Sequence, residues 1–537
     1  MSDSASADGP ETFFGHPVGL IVLFFTELWE RFSFYGMRAL LVFYMTKQLM
    51  FSDEFSYGIY GAYGSLVYAT PILGGLLADR LLGYRRAIIL GAVLMALGHF
   101  AMTLDHTTID AALGGMATST GTNQLEVALA GATFSLDTTI FFYGALALLI
   151  VGNGFFKPNI SSLVGRLYDE EGIEEAKRDG GFTIFYMGIN IGALLAPLLC
   201  GYLGQEWGWH YGFGLAGVGM VTGLVIFVLF EHVLEGHGEP PEPEELVSPL
   251  WGFGLPAPSK GTAVYVGAFL SIPVIAATVA AVTALGTILA VVGVVVFGLL
   301  FAHAMRSEKV VRDRLFVILV LIFFSMTFWA FFEQAGSSIN MFTDRNVDRT
   351  ILGWTLPASV FQGVNPAFII LLAPVFAWIW EELDGLGWEP STPVKFGMGL
   401  SQLALGFGAL VLGGMFAGSD GMVPITFLFL GYLLHTTGEL CLSPVGLSMV
   451  TKLSPKETVG VVMGAWFLSS SFAHYIAGLF AKLASPPKGE QVSNMAASET
   501  LPLYTDLFGT IALVAGGVAV LCFLLSPILE KWMHGVD

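Results

Sequence analysis

Long apolar segments recur along the whole chain, and most hold roughly 20 residues, enough to cross the ~30 Å hydrocarbon core of a membrane as a helix. Charged residues make up only 12% of the chain, about half of the roughly 25% found in soluble domains. A soluble protein with a large core would not need so many uninterrupted apolar runs. The sequence therefore predicts an all-α polytopic protein whose main surroundings are a lipid bilayer.

Fourteen segments are predicted to span the membrane, as two groups of six with an extra hairpin between them. The first six are 17–46, 57–79, 84–104, 138–166, 180–203 and 211–231. The hairpin spans are 261–283 and 285–304. The last six are 313–337, 352–380, 394–416, 424–451, 457–481 and 505–530.

These spans divide the chain into six regions. They are an N-terminal tail 1–16, a six-helix bundle 17–231, a linker 232–260, an extra transmembrane hairpin 261–304, a second six-helix bundle 313–530 and a C-terminal tail 531–537. The linker is acidic and rich in proline ("GHGEPPEPEEL"), which favours an extended chain. The stretch 105–137 has no Lys or Arg and is predicted to be an outer loop that could hold a short helix.

The basic residues predict the orientation of the chain. With both termini inside, fifteen Lys and Arg residues fall in inner loops and five in outer loops. Loops that face the cytoplasm are enriched in Lys and Arg. We therefore expect both termini to be cytoplasmic.

Sequence motifs of enzymes and metal sites are missing. The three cysteines, Cys200, Cys441 and Cys522, each fall inside an apolar span with neither disulfide nor metal spacing. The chain contains no HExxH, Walker A or GxSxG motif. We expect no metal or organic cofactor, and neither an intramembrane enzyme nor an ATP-driven pump.

The first span carries four charged residues, which is costly in a bilayer unless they find a partner or a water-filled cavity. At 100° per residue, six side chains occupy one arc of about 140° on this helix: Glu27, Glu30, Arg31, Phe34, Tyr35 and Arg38. This stripe is predicted to face a cavity. Alternatively, Glu27 and Arg31 form a structural pair that only fixes helix packing.

Three further charged residues, Lys157, Glu333 and Glu439, lie on other spans. In the predicted topology, Arg38 and Glu333 lie towards the outer side, and Lys157 and Glu439 lie in the middle to inner half. Each pair joins one six-helix half to the other, so the two pairs could close opposite ends of a central cavity. Alternating access requires that layout. Protonation of a carboxylate would then release its partner and couple proton movement to opening.

The two groups of six spans are the outline of the major facilitator fold. The motif "GGLLADRLLGYRR", Gly74–Arg86, lies between the second and third spans. Its Asp and Arg residues could pin neighbouring helices together, or its arginines could simply set the topology. These two interpretations are compatible.

Several motifs resemble the proton-dependent oligopeptide transporter (POT) family of the major facilitator superfamily. Glu27–Phe32 matches the first-helix pattern of a Glu, two residues and Glu-Arg-Phe. "FTIFYMGINIGAL", Phe182–Leu194, matches the fifth-helix signature. "GNGFFKPNISS", "FFEQAGSS", "VNPAFIILLAP" and "GELCLSPVGLS" are similar to the fourth, seventh, eighth and tenth helices, and the extra hairpin is typical of bacterial members.

The resemblance implies a proton-coupled symporter that imports di- and tripeptides across a bacterial inner membrane by alternating access. It implies small peptides and protons as partners, no nucleic acid, no cofactor, and activity as a monomer. One open alternative is a carrier of the same fold for another small molecule or anion, such as nitrate or a peptide-like drug. A non-transporting receptor or channel is the other. Lys157 and Glu439 complement the two ends of a peptide, which argues against nitrate.

The resemblance also implies roles for individual residues. Proton coupling is expected at Glu27, Glu30, Arg31, Lys157 and Glu439. Substrate binding is expected at Arg31, Tyr35, Tyr68, Lys157, Asn190, Trp329, Asn365, Glu439, Ser443 and Trp466. Gates are expected at Arg38 with Glu333 and at Lys157 with Glu439.

Some residues also have a purely structural interpretation. Trp329 and Trp466 could be packing aromatics, and Asn190 and Asn365 could bond helix to helix. His435 and His474 are interpreted as packing or hydrogen-bonding residues. Phe34 stands where the family often has the first of two tyrosines, so a hydroxyl is lost there.

Overall fold

The computed structural model describes residues 12–113, 117–121, 123–129, 132–169, 175–251, 257–455, 458–486 and 495–536. Thirteen helices in these ranges are long and apolar enough to cross a membrane. Helix α1, Gly19–Phe43, is also long enough to cross a membrane, which brings the number in the described residues to fourteen. It is not among the thirteen because it carries four charged residues. The architecture of two six-helix halves and an extra hairpin is confirmed.

Nine α-helices of the described residues belong to the first half and the linker. They are α1 Gly19–Phe43, α2 Asp53–Leu77, α3 Tyr84–Ala101, α4 His106–Leu113, α5 Thr139–Arg166, α6 Glu175–Ala196, α7 Tyr202–Glu206, α8 Trp209–Phe230 and α9 Pro243–Val247. Three of them run on through π-helical turns at Tyr44–Gln48, Ala78–Leu82 and Pro197–Gly201.

The hairpin and the second half follow. They are α10 Lys260–Ala280, α11 Val282–Arg306, α12 Lys309–Phe332, α13 Ser338–Asn346, α14 Val364–Gly385, α15 Thr392–Met415, α16 Ile425–Leu453, α17 Val459–Ala481 and α18 Ala497–Met533. The predicted seventh span, 313–337, is interrupted by a 3₁₀ turn at Glu333–Gly336 before α13 continues. The last helix begins eight residues before its predicted start at 505.

Short strands lie in the connections. They are β1 Thr12–Phe13, β2 His16–Pro17, β3 Ala117–Gly121, β4 Gln124–Leu129, β5 Ala132–Asp137, β6 Val347–Asp348, β7 Thr350–Ile351, β8 Trp354–Thr355 and β9 Val423–Pro424. β3, β4 and β5 form an antiparallel sheet with β4 in the middle. The described part of the predicted outer loop 105–137 therefore holds this sheet as well as α4. The first four residues of β4, "QLEV", alternate polar and apolar side chains, as is typical of a strand.

The linker is folded against the first half, unlike the extended chain that its composition favours. A 3₁₀ turn at Glu231–Leu234 and a bend at Glu235 bring the chain back to the loop between α2 and α3. There the Arg85 backbone N–H donates to Gly238 O at 3.0 Å, and Arg85 Nε donates to His237 O at 2.7 Å. These bonds hold this part of the linker because Arg85 gives two of its backbone carbonyl groups a hydrogen-bond donor. We call this end of the molecule the linker side and the opposite end the gate side.

The two halves pack through α2 against α17 and through α6 against α14. Glycines let α2 and α17 approach, since a Cβ on Gly61 would lie 2.9 Å from the Gly478 Cα. The hairpin covers this junction, with α10 against α5 and α11 against α12 and α17. The central cavity lies between the two halves and is lined by residues of both.

Candidate functional site

A cavity of about 420 Å³ lies between the two halves. Both halves contribute to its wall, which holds most of the residues that the sequence singled out. Those lining residues are Glu27, Arg31, Tyr35, Arg38, Tyr68, Lys157, Asn190, Trp329, Glu333, Asn365 and Glu439. The volume falls in the ~300–1,000 Å³ range of small-molecule sites.

Helix α1 places Arg31 beside two carboxylates, that of the preceding residue Glu30 and that of Glu27 one turn earlier. Arg31 Nη2 donates to Glu30 Oε1 at 2.7 Å, and Arg31 Nε also bonds Glu30 Oε2. Arg31 Nε lies 3.1 Å from Glu27 Oε1. Glu30 is fully buried behind Arg31 and does not line the cavity. Glu27 Oε2 is buried with no hydrogen-bond partner among the described residues, so one oxygen of this carboxylate is free to take a proton.

Phe34 packs against the charged end of Arg31. The Arg31 Cζ lies 5.1 Å from the centroid of the Phe34 ring, a cation–π arrangement. The ring is buried and is not part of the cavity wall. The residue that departs from the family pattern therefore supports Arg31.

Aromatic rings also hold the other two cations of the cavity. Lys157 Nζ lies 4.3 Å from the centroid of the Tyr68 ring. Arg38 Cζ lies 5.8 Å from the centroid of the Tyr35 ring. These contacts place the positive groups on the wall formed by α1, α2 and α5.

The opposite wall carries Glu439 of α16. Asn365 Nδ2 donates to Glu439 Oε2 and to Thr436 Oγ1, at 3.0 Å in each case. The amide of Asn365 thus fixes the orientation of the carboxylate and leaves its other oxygen, Oε1, without a hydrogen bond from Asn365. Asn190 on α6 donates to Tyr186 O of its own helix at 3.0 Å.

Arg38 and Glu333, both in the cavity wall, pair across the two halves on the gate side. Arg38 Nη2 donates to Glu333 Oε2 at 2.5 Å, and Arg38 Nε donates to Tyr60 Oη at 2.8 Å. His474 Nε2 lies 3.5 Å from Glu333 Oε1. The predicted pair is therefore part of a larger cluster that joins α1 and α2 to the second half.

A second layer of contacts lies further towards the gate side. Arg345 binds Asp53 through both guanidinium nitrogens, at 2.5 and 3.0 Å, and donates to Tyr504 Oη at 2.7 Å. Lys47 Nζ lies 2.6 Å from Asp344 Oδ2.

The two halves also touch through hydroxyl groups nearer the middle of the molecule. Ser65 Oγ and Ser471 Oγ, 2.8 Å apart, join the halves near the middle of α2 and α17.

Lys157 and Glu439, the predicted inner pair, both line the cavity, but no ion pair within 4.0 Å joins these two described residues. Lys157 contacts Tyr68, and Glu439 accepts from Asn365. Charge pairs thus join the two halves on the gate side, whereas the described residues Lys157 and Glu439 form no such pair towards the linker side.

Two predicted site residues lie elsewhere, and one is not described at the level of its side chain. Glu30 is behind Arg31, and Trp466 is outside the cavity wall, with its indole beside Gly446 of α16. Ser443 belongs to α16, but its side chain lies outside the described residues.

Sequence reasoning did not assign several polar residues to the site, including His474, which it interpreted as a packing or hydrogen-bonding residue. Tyr60, Thr436 and His474 contact predicted residues, and Tyr186, Gln362 and Tyr432 line the cavity. Tyr60 precedes Tyr68 by two helical turns, a spacing that could have indicated it. The partner of His474 lies on another helix, so no pattern within α17 indicates it.

The described residues contain no group of three or more His, Cys, Asp and Glu side chains that could hold a metal ion.

Two six-helix halves around a charged central cavity, joined by ion pairs at one end, define a multi-pass membrane transporter of the major facilitator fold. The family model described as "POT family" matches residues 85–495, and the chain belongs to this family.

Known proteins are similar over nearly the whole length. The chain is 37% identical to the uncharacterized transporter YclF of Bacillus subtilis, over 98% of this chain and 96% of that protein. It is 36% identical to the peptide transporter YePEPT of Yersinia enterocolitica, over 98% of each chain. A crystal structure of a peptide transporter POT variant in complex with alafosfalin shares 34% identity with a TM-score of 0.75, over 98% of this chain and 97% of that one.

Proposed function

We propose that this chain is a proton-coupled symporter that imports di- and tripeptides by alternating access. One observation carries the proposal: a single cavity has the cations Arg31 and Lys157 on one wall and the carboxylate of Glu439 on the other. A zwitterionic peptide needs cations at its carboxylate end and an anion at its amino end. Membership of the POT family and the similarity to a named peptide transporter support this substrate class.

The peptide carboxylate is proposed to bind Arg31 and Lys157, since a guanidinium suits a carboxylate through paired N–H donors. Its amino group is proposed to bind Glu439. Tyr35, Tyr68, Asn190 and Asn365 are proposed to hydrogen-bond the peptide backbone. Trp329, Trp466 and Ser443 remain proposed contacts of the peptide side chains and the amino end. Trp466 lies outside the cavity wall, so its contact requires a movement of α16 or α17. The side chain of Ser443 lies outside the described residues.

Proton coupling is proposed for Glu27, Glu30, Arg31, Lys157 and Glu439. Glu27 supports this most directly because one of its carboxylate oxygens is buried beside Arg31 and accepts no hydrogen bond from the described residues. A proton on Glu27 would weaken its hold on Arg31 and leave Glu30 as the remaining carboxylate partner of this guanidinium, which favours binding of the peptide carboxylate. Proton arrival and peptide binding are thus linked through one side chain.

The movement is proposed to involve units 17–231 and 313–530, connected by the linker 232–260 and the hairpin 261–304. The bacterial relatives and the membrane-spanning helices support a location in a bacterial inner membrane. The distribution of Lys and Arg supports an orientation with the tails 1–16 and 531–537 and the linker side in the cytoplasm. The observed arrangement then corresponds to a transporter closed to the outside, and Lys157 with Glu439 closes the other end in turn. We propose a monomer as the active unit, since one chain supplies the whole cavity wall.

The test is uptake of a labelled dipeptide into proteoliposomes, with and without an inward proton gradient. We expect accumulation above equilibrium only with the gradient, and its loss when an ionophore collapses the gradient. Glu27→Gln should lose accumulation yet still exchange labelled for unlabelled peptide. Glu499→Gln, which changes an exposed carboxylate at the start of α18, is the matched control.

Three outcomes would contradict the proposal. Uptake of nitrate in preference to peptide would favour an anion carrier. Non-saturable flux that follows the gradient of any small solute would favour a channel. Full gradient-driven accumulation by Glu27→Gln would remove Glu27 from the coupling mechanism.

A further inference from the structure

His474 of α17 lies against the gate-side cluster, although the transport mechanism above does not use it. The side chain is buried, and its ring stacks on Tyr68 with 4.4 Å between the centroids and 27° between the planes. Gly64 of α2 makes room for it, since a Cβ there would lie 2.5 Å from His474 Cδ2. The imidazole is therefore held in one orientation.

The hydrogen bonds of this ring determine where its proton lies. His474 Nδ1 is 2.9 Å from Ser470 O, and a carbonyl oxygen only accepts, so Nδ1 carries a hydrogen. In a neutral imidazole the other nitrogen, Nε2, would then present a lone pair. That nitrogen lies 3.5 Å from Glu333 Oε1. A lone pair facing a carboxylate is repulsive, whereas an N–H facing it is attractive.

The charged and titratable groups around His474 come from several helices. They are Glu333 after α12, Arg38 of α1, Tyr60 and Tyr68 of α2, and Lys157 of α5 beside Tyr68. On α16, which also packs against α17, His435 contacts Phe407 and Glu439 accepts from Asn365. Helix α11 has its ionisable residues, His303 and Arg306, in its last turn. Glu333 is thus the anion that His474 faces.

We propose that His474 is a positioning residue of the gate that holds the Glu333 carboxylate only when its imidazole carries a second proton. Glu333 then lies between two cations, Arg38 of the first half and His474 of its own half. When the halves part, Arg38 leaves, and a protonated His474 remains as a partner for the carboxylate. With a neutral His474 the same movement strands a buried charge, which is strongly unfavourable.

A proton on His474 therefore lowers the free energy needed to open the gate side. This proton site belongs to the second half and lies apart from the cluster of Glu27, Glu30 and Arg31 on α1. The inference rests on the proposed function for its place in a transport cycle. The opening itself requires no assumption about the substrate.

The experiment measures opening directly, without substrate. Spin labels are attached at Met50→Cys and Leu352→Cys, two exposed gate-side positions on opposite halves. The distance distribution is recorded by pulsed electron paramagnetic resonance between about pH 8 and about pH 5, the range in which histidine titrates. In the otherwise unchanged protein we expect the population with the longer distance to grow as the pH falls.

His474→Gln should abolish this growth, because the amide can still donate to Glu333 but gains no charge. His99→Gln is the matched control, since His99 is a buried histidine of α3 that does not line the cavity. We expect this control to respond as the parent does. If His474→Gln does not fold, His474→Asn carries the same test.

Two results would overturn the inference: an equal response to pH in His474→Gln and the parent, or no response in the parent. Uptake measured on the same proteins separates this inference from the proposed function. If the parent takes up no peptide but its distances depend on pH through His474, the proposed function fails and the inference stands. If peptide is taken up but the distances do not depend on His474, the inference fails and the proposed function stands.

Discussion

Arg38 of α1 and Glu333 after α12 form an ion pair, with 2.5 Å between Arg38 Nη2 and Glu333 Oε2, across the junction of the two halves. Further cross-half contacts lie on the same side of the cavity, including Asp53 with Arg345 and Lys47 with Asp344. Towards the linker side, Lys157 and Glu439 line the cavity without pairing. This asymmetry is what a transporter with one closed end requires.

The Arg38–Glu333 pair should show strong energetic coupling. Arg38→Met and Glu333→Gln each leave a buried charge without its partner, a change worth ~3–5 kcal/mol. We expect each variant to lose most of its uptake. The double variant should retain about tenfold more uptake than independent effects of the two substitutions would leave, because it contains no uncompensated charge. Initial rates of dipeptide uptake in proteoliposomes measure this cycle.

Lys47 and Asp344 supply the control cycle for that measurement. The Lys47 side chain is 41% exposed, and exposed pairs contribute only ~0–1 kcal/mol. We expect Lys47→Met and Asp344→Asn to act almost independently. Strict additivity at Arg38 and Glu333 as well would show that their pairing does not control transport.

Glu439→Gln should weaken recognition of the free amino group of a peptide. The glutamine carbonyl can still accept from Asn365, so the local geometry persists while the charge is lost. A hydrogen bond to a charged group is worth ~1.5–3 kcal/mol, which corresponds to at least about tenfold in half-saturation concentration. Competition by dialanine and by N-acetyl-dialanine against a labelled dipeptide measures the effect.

The N-acetylated competitor is the internal control for Glu439, because it has no amino charge to lose. Its inhibition constant should be the same for the parent and for Glu439→Gln. An unchanged preference of the variant for free over acetylated peptide would remove Glu439 from the amino site.

Phe34 should matter through its ring and not through the hydroxyl that the family resemblance implies for this position. Phe34→Tyr keeps a ring against Arg31, so uptake should stay close to that of the parent. Phe34→Leu removes a cation–π contact worth ~0.5–1 kcal/mol, which corresponds to a rise of about threefold in half-saturation concentration. Dose–response curves for two or three dipeptides compare the variants. A large gain from Phe34→Tyr alone would indicate that the hydroxyl reaches the substrate.

Arg345 and Asp53 should stabilise the closed gate side. Arg345→Met leaves the buried Asp53 carboxylate without its guanidinium and removes a donor to Tyr504. Because the pair is partly exposed, we expect the free energy of unfolding to fall by more than the ~1 kcal/mol of a surface pair and by less than the ~3–5 kcal/mol of a buried pair. A lower melting temperature in detergent would record it. Lys47→Met, at the exposed neighbouring pair, should leave the melting temperature almost unchanged.

Asp105 should make the start of α4 sensitive to acid. Burial alone would raise the pKa of Asp105, but hydrogen bonds from Thr107 and Thr108 lower it below its ordinary value. A carboxyl group whose pKa is lower in the folded than in the unfolded protein stabilises the folded state when it is ionised. For Asp105 this stabilisation is complete above the pKa of the unfolded chain, about 3.9, and is lost as the pH falls through the pKa of the folded protein. Amide exchange in α4 should therefore be constant from neutral pH to about pH 5, after correction for intrinsic rates, and should quicken below about pH 4.

The matched variants for α4 are Asp105→Asn and Asp110→Asn. Asparagine at 105 loses the charge that accepts these bonds, so protection should fall at neutral pH and respond less to acid. Asp110 makes none of these bonds, and its substitution should change little. Equal exchange in both variants would contradict the capping role of Asp105.

The fold was predictable because helical membrane spans are encoded locally. An apolar run of sufficient length must form its own backbone hydrogen bonds in a bilayer, whatever its neighbours are. The broken helix at Glu333–Gly336 and the sheet of β3, β4 and β5 were not predicted. The first depends on contacts of Glu333 with other helices, and the second on pairing within a short, weakly patterned segment.

The sequence by itself determined the helical membrane fold, the two halves with their hairpin, and the set of charged residues that must avoid lipid. Helical periodicity put Arg31 and Arg38 on one face, since that spacing is local to α1. Only the tertiary structure decided which charges pair, because Arg38 and Glu333 are 295 residues apart and meet through the packing of separate helices. The same packing left Lys157 and Glu439 apart, moved Trp466 out of the cavity wall and brought His474 to Glu333. An ion pair depends on the depth and approach of two helices to within a few ångströms, and hydrophobicity along one helix does not determine either.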